Sequence, residues 1–178
     1  MIEVTVDSIR VHMPTQQHVV ILRERESERY LPIWIGNDLA NAIAMKIQGV
    51  APDRPLTHDL MKSSFEGLGV QLSRIVVTSL ADQVFYARLF LLQDGRKLDV
   101  DSRPSDAIAL AVRYECPIYV AADVLEKAGV IPQKEDEDEE AEELEPDRLA
   151  VFRDLVNNLD LPDLPEEPGA HGRGPSRS

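Results

Sequence analysis

The chain has 178 residues, 43% of them hydrophobic and 29% charged, so it can bury a core and is not disordered throughout. Its formal net charge of −13 excludes a global attraction to nucleic acid or to an anionic membrane. The single cysteine, Cys116, excludes an intrachain disulfide framework and a cysteine-built zinc cage.

Residues 2 to 12 alternate Ile2, Val4 and Val6 and continue through Ile9 and Val11, the pattern of one or two strands. His18 to Glu24 and Tyr30 to Ile35 read as two more strands around a polar turn. Asn37 or Asp38 can cap a helix to Gln48, with Leu39, Ile43 and Ile47 on one stripe and Gly49 as its terminator. After a loop with two prolines, Thr57 is the expected N-cap of a helix to Phe65, stopped near Gly67 and Gly69. Strands are expected at Val70 to Thr78, Gln83 to Leu92 and Lys97 to Val100, the last pair joined by the hairpin signal Asp94-Gly95. Arg103-Pro104 opens a helix to Tyr114, Pro117 to Val120 is a short strand, and Asp123 starts a helix ending at Gly129.

This order predicts an α+β domain, a mixed sheet with helices packed on it, over residues 1–132. At an offset of 66, Val4, Val6, Ile9 and Val11 fall on Val70, Leu72, Ile75 and Val77. At 67, Leu31, Ile33, Ala40, Ala42 and Ile43 fall on Leu98, Val100, Ala107, Ala109 and Leu110. Two duplicated β-β-β-α halves and a coincidence of degenerate hydrophobic patterning account for this equally well.

The acidity is uneven. Residues 1–132 hold 17 acids and 14 bases, a net of −3, and residues 133–178 hold 15 and 5, a net of −10. Residues 133–147 form an acidic linker, 148–159 fit a short amphipathic helix, and 160–178 read as a disordered tail. The near-neutral body leaves room for a local nucleic-acid site. The longest apolar run, Ala107 to Val112, is far too short to span a bilayer, and Met1 to Val4 lacks the pattern of a signal peptide. A cytoplasmic protein without membrane contact is expected.

Two polar stretches sit at loop-to-helix junctions, where outward backbone N–H groups attract anions. They are Arg54-Pro55-Leu56-Thr57-His58-Asp59-Leu60 and Asp99-Val100-Asp101-Ser102-Arg103-Pro104-Ser105-Asp106-Ala107. Arg54 and Arg103 can clamp phosphate, and Thr57 and Ser105 are further substrate-binding candidates. Asp99 and Asp101 flank Val100, so on a strand they share a face and can hold a hard cation such as Mg²⁺. Asp106 and Asp59 are candidate ligands or bases, and His58 is a candidate acid/base. Each has an ordinary alternative: a helix cap, a dipole partner or a surface ion pair. Asp59 is poorly placed to orient His58, since neighbours on a helix point about 100° apart. Ser105 lacks the Gly-x-Ser-x-Gly elbow of a hydrolase nucleophile. Trp34 is expected in the core or at a subunit contact, and 5% aromatics give no evident stacking platform for single strands.

Leu31-Pro32-Ile33-Trp34-Ile35-Gly36, Arg54 to Leu60, and Asp101-Ser102-Arg103-Pro104-Ser105-Asp106-Ala107-Ile108-Ala109-Leu110 resemble the hallmark segments of the bifunctional nuclease domain family, over about residues 1–130. The resemblance implies a compact α+β domain that self-associates, with DNase and RNase activity. The family pattern has an acid where this chain has Leu39, the position that falls on Asp106 at the 67-residue offset. The combined expectation is a nuclease acting on DNA and RNA with a divalent cation, Mg²⁺ or Mn²⁺, as a homo-oligomer. In it Asp99 and Asp101 hold the metal, His58, Asp59, Asp101 and Asp106 are catalytic, and Arg54, Thr57, Arg103 and Ser105 bind substrate. The alternative expectation is a non-catalytic oligomeric binding module whose acidic tail recruits partners.

Overall fold

The computed structural model describes residues 1–12 and 15–131. The linker, helix and tail expected over 133–147, 148–159 and 160–178 lie outside the described residues. The elements run β1 (Ile2–His12), β2 (Gln17–Glu24), β3 (Tyr30–Ile35), α1 (Asn37–Ile47), α2 (Thr57–Gly67), β4 (Val70–Ala81), β5 (Val84–Gln93), β6 (Arg96–Ser102), α3 (Pro104–Tyr114), β7 (Ile118–Val120) and α4 (Ala122–Ala128). The expected α+β class is what forms.

The seven strands make one mixed sheet in the order β3-β2-β1-β7-β4-β5-β6. Every pair is antiparallel except β4–β7. Pro32 sits in β3, an edge strand, where a missing N–H costs no ladder bond. Alternation sends Val20, Leu22, Leu31, Ile33, Ile75, Val77, Ala87, Leu89, Ile118 and Val120 into one shared core. Within that core, α3 touches β3 near one edge of the sheet and β5 near the other. One helix can meet both only because the sheet curves around it. All residues from Ala107 to Ala111 are buried, not a single stripe, since strands and helices close on α3 from several sides. Its alanines, with Ala40 and Ala42 of α1, let the two helices pack closely. Ile108 and Leu110, both fully buried, each stabilise the fold by about 2 kcal/mol.

Some features of the fold recur at the offsets seen in the sequence, without establishing two duplicated halves. β1 carries a bulge between Val6 and Ser8, and β4 carries one between Leu72 and Arg74, 66 residues further on. α1 and α3 begin and end 67 residues apart, at Asn37–Ile47 and Pro104–Tyr114.

Local chemistry differs from expectation at three points. α1 is capped by Gly36, not by Asn37 or Asp38, and α2 by Leu56, so Thr57 is already helical. The strands expected to end at Thr78 and to begin at Gln83 reach Ala81 and Val84, because Asp82 and Gln83 both adopt positive φ, 47° and 63°. That is the primed-turn geometry matching strand twist, here without glycine.

Candidate active site

His58 is the second residue of α2, and Asp106 the third of α3. Their side chains meet, Nε2 to Oδ1, at 3.1 Å. Arg103, the N-cap of α3, donates Nε–H to the other oxygen of Asp106 at 2.6 Å. Burial pushes the Asp106 carboxyl up, but the hydrogen bonds from Arg103 and His58 outweigh it and hold the group below its ordinary value. An ionised carboxylate only accepts, so the neutral His58 ring carries its proton on Nε2 and leaves Nδ1 as an acceptor. His58 is 7% exposed. No buried side-chain nitrogen or oxygen among the described residues lacks a partner, and Nδ1 bonds to none of them, so Nδ1 reaches solvent.

Asp59 points the other way along α3. Its Oδ1 accepts from Arg113 Nε at 2.7 Å, and its Oδ2 accepts the Leu56 backbone N–H at 2.9 Å. The Arg113 bond, then the Leu56 bond, keep the Asp59 carboxyl below its ordinary value against the effect of burial. Arg113 is 4% exposed. It also donates Nη1–H to the Ala109 carbonyl at 2.9 Å and Nη2–H to the Ala42 carbonyl at 3.2 Å. Asp106 and Arg113 stand two helical turns apart on one face of α3. His58 and Asp59, adjacent on α2, therefore each reach one of them, and Arg113 fixes the start of α2 against both α3 and α1. With both oxygens engaged, Asp59 is placed as an anchor for His58.

The remaining expected residues separate into groups. Arg54 and Thr57 are exposed at the loop before α2 and at its first residue, without side-chain hydrogen-bond partners among the described residues. Ser105 lies in the first turn of α3 beside Asp106. Asp99 and Asp101 do share a face of β6, opposite Phe90 and Arg88 of β5. That face is turned away from Leu89 and Leu91, which point into the core beside α3. The structure thus does not bring Asp99 and Asp101 together with His58 and Asp106. Asp99 is paired with Arg88, and Asp106 with Arg103 and His58. Among the described residues no three His, Cys, Asp or Glu groups converge as metal ligands do. The donor set present fits a resident divalent cation poorly.

Trp34, expected in the core or at a subunit contact, does not sit in the core of the chain. It is 55% exposed, stands edge-on to His12 with ring centroids 5.7 Å apart, and lines a cleft of about 460 Å³. Its lining joins Gln17, the end of β3 with Gly36, the Gln83–Phe85 segment, and Arg103, Pro104 and Ser105 at the start of α3.

The bifunctional nuclease domain model matches residues 20–133, most of the chain, including α2 and α3. The chain belongs to the bifunctional nuclease domain family. It is 40% identical over 162 residues to an uncharacterized protein of Mycobacterium tuberculosis, covering 91% of this chain and 97% of that one. Bifunctional nuclease 2 of Oryza sativa subsp. japonica is 28% identical over 156 residues, 83% of this chain and 45% of the rice protein. Bifunctional nuclease 1 of Oryza sativa subsp. indica is 26% identical over 116 residues, 63% of this chain and 35% of that protein. In this member of the family, Leu39 packs its apolar side chain against the core. No helix among the described residues is long and apolar enough to cross a membrane.

Arg113 was not among the residues singled out from sequence. Its one visible signal is a cation directly after the apolar run of α3, at the position that falls on Lys46 at the 67-residue offset.

Proposed function

We propose that the chain hydrolyses phosphodiester bonds in DNA and RNA at the junction of α2 and α3. The observation that carries this reading is the His58–Asp106 hydrogen bond beside Arg103. Asp106 holds the His58 tautomer whose Nδ1 can take a proton from an attacking water. Arg103 spends only Nε on Asp106, so its Nη groups face solvent on a side chain that is 73% exposed. They can hold the phosphate oxygens while negative charge builds on them. The first intrahelical bond of α3 is Ala107 N–H to Arg103 carbonyl, so the N–H groups of Ser105 and Asp106 point outward at the same place. Arg54 and Thr57 extend the binding surface from the α2 side. Membership of a family whose plant members carry the name nuclease supports the reading. No step is assigned to a metal.

The test is cleavage of single- and double-stranded DNA and RNA by the full chain, with EDTA, Mg²⁺ or Mn²⁺, beside an identically purified His58→Ala protein. Activity present in the first and lost in the second is expected. Equal activity in both marks a contaminant and overturns the proposal.

A further inference from the structure

We infer that the Trp34 cleft is a subsite for one unstacked base, and that it makes single-stranded nucleic acid the preferred polymer. This rests on the proposed phosphodiester site and extends it. Trp34 lies on an edge strand with more than half its surface in solvent, an unusual position for the largest amphipathic side chain in a chain with one tryptophan. Its one ring contact among the described residues is the edge-on approach of His12. The cleft it lines has a volume of about 460 Å³, within the range of small-ligand sites and far too small for a duplex. Among the described residues of its lining Arg103 is the one that is charged. Arg103 also touches Asp106, the partner of His58. The same arginine therefore ends the cleft and begins the hydrolytic site. A strand whose phosphate sits on Arg103 can place the adjoining base against the exposed indole. In a duplex both faces of that base are covered by neighbouring pairs, and stacking on Trp34 requires paying for its extrusion.

Because Trp34 is the only tryptophan, its fluorescence reports this site alone. The experiment titrates the full chain, and the uncleaving His58→Ala chain, with a short oligodeoxythymidylate and with the same oligomer annealed to oligodeoxyadenylate. Binding is measured in parallel by anisotropy of labelled oligomers. The single strand is expected to quench Trp34 saturably, and the duplex to need about tenfold more for the same quenching. Trp34→Ala should weaken single-strand binding about tenfold, and Trp34→Phe, which keeps an aromatic face, about threefold or less. Four results would overturn the inference: anisotropy without quenching, equal quenching by duplex, unchanged binding by Trp34→Ala, or no binding. A Trp34 emission that shifts with protein concentration alone would also overturn it, by showing that a second copy covers the cleft. Quenching without His58-dependent cleavage would keep the subsite and remove the hydrolytic reading. His58-dependent cleavage without quenching would do the reverse.

Discussion

His58 and Asp106 meet through a 3.1 Å hydrogen bond although 48 residues separate them. Removing the imidazole by His58→Ala is expected to lower kcat on single-stranded RNA and DNA by about a hundredfold or more. Asp106→Asn should lower it by about tenfold or more, because an amide can donate to Nε2 and reverse the tautomer. Single-turnover kinetics beside thermal unfolding separate this from a loss of fold, and activity within about twofold of wild type would dismiss the pair as catalytic.

Acid should weaken the fold through the same carboxyls. Asp59, Asp106 and Glu24 all hold their protons less tightly folded than unfolded: Asp59 chiefly through Arg113, Glu24 chiefly through Arg29, and Asp106 through Arg103 and His58 despite burial. The unfolded chain therefore binds more protons as pH falls. The stabilisation is complete above the ordinary carboxyl range, about pH 4 to 5, and disappears as pH falls through the lowered folded values. Melting temperature measured from pH 7 to pH 2 should stay level at first and then drop. Asp59→Asn should flatten part of that drop, and an unchanged profile would show that the Arg113 contact contributes nothing in solution.

Arg113→Met should cost about 3 kcal/mol in urea unfolding, since it takes from Asp59 its charged partner and removes the side-chain donations that tie α2 to the carbonyls of Ala109 and Ala42. Arg113→Lys keeps the charge but cannot reach three acceptors at once, and should cost about half as much. Both variants should also lower kcat by loosening the start of α2. A fully active, fully stable Arg113→Met would refute the anchoring role.

The pair on β6 gives the opposite expectation. Asp99 and Asp101 face away from the core beside α3. The doubly substituted Asp99→Asn, Asp101→Asn protein should keep its activity, and its response to added Mg²⁺, within about twofold, the usual range for surface changes. A loss of about tenfold that excess Mn²⁺ reverses would restore these residues as cation ligands.

Cys116 is pushed up to about 11 by burial. At pH 8 its thiol should react with a disulfide reagent about a hundredfold more slowly than free cysteine, accelerating in urea. One thiol per chain makes the count unambiguous.

Much of this architecture could be read from residue order, and the failures have physical causes. Asp94-Gly95 announced its hairpin because glycine accepts positive φ freely, whereas Asp82-Gln83 adopts the same geometry without that signal. Alternation correctly put Asp99 and Asp101 on one face, but only strand register revealed Arg88 beside them. The Arg103–Asp106 pair is local, three residues apart, and was visible as a polar cluster. His58–Asp106 and Asp59–Arg113 depend on how α2 lies across α3, which no local pattern contains. For Trp34 hydrophobicity left core and subunit contact open, and its place on the outward face of an edge strand keeps it out of the core of the chain.

Strand β7 is three residues long and, among the described residues, is the only strand that hydrogen-bonds to both β1 and β4. The β1-β2-β3 and β4-β5-β6 meanders each close through neighbouring hairpins, so their ladders form over short stretches of chain. Joining them waits for Ile118–Val120, which must find β1 more than a hundred residues back. During synthesis, both meanders can be complete while the inner edges of β1 and β4 remain open. The last step of assembly then falls to a strand one quarter the length of β4, making substitutions at Ile118 and Val120 better probes of folding rate than of any surface property.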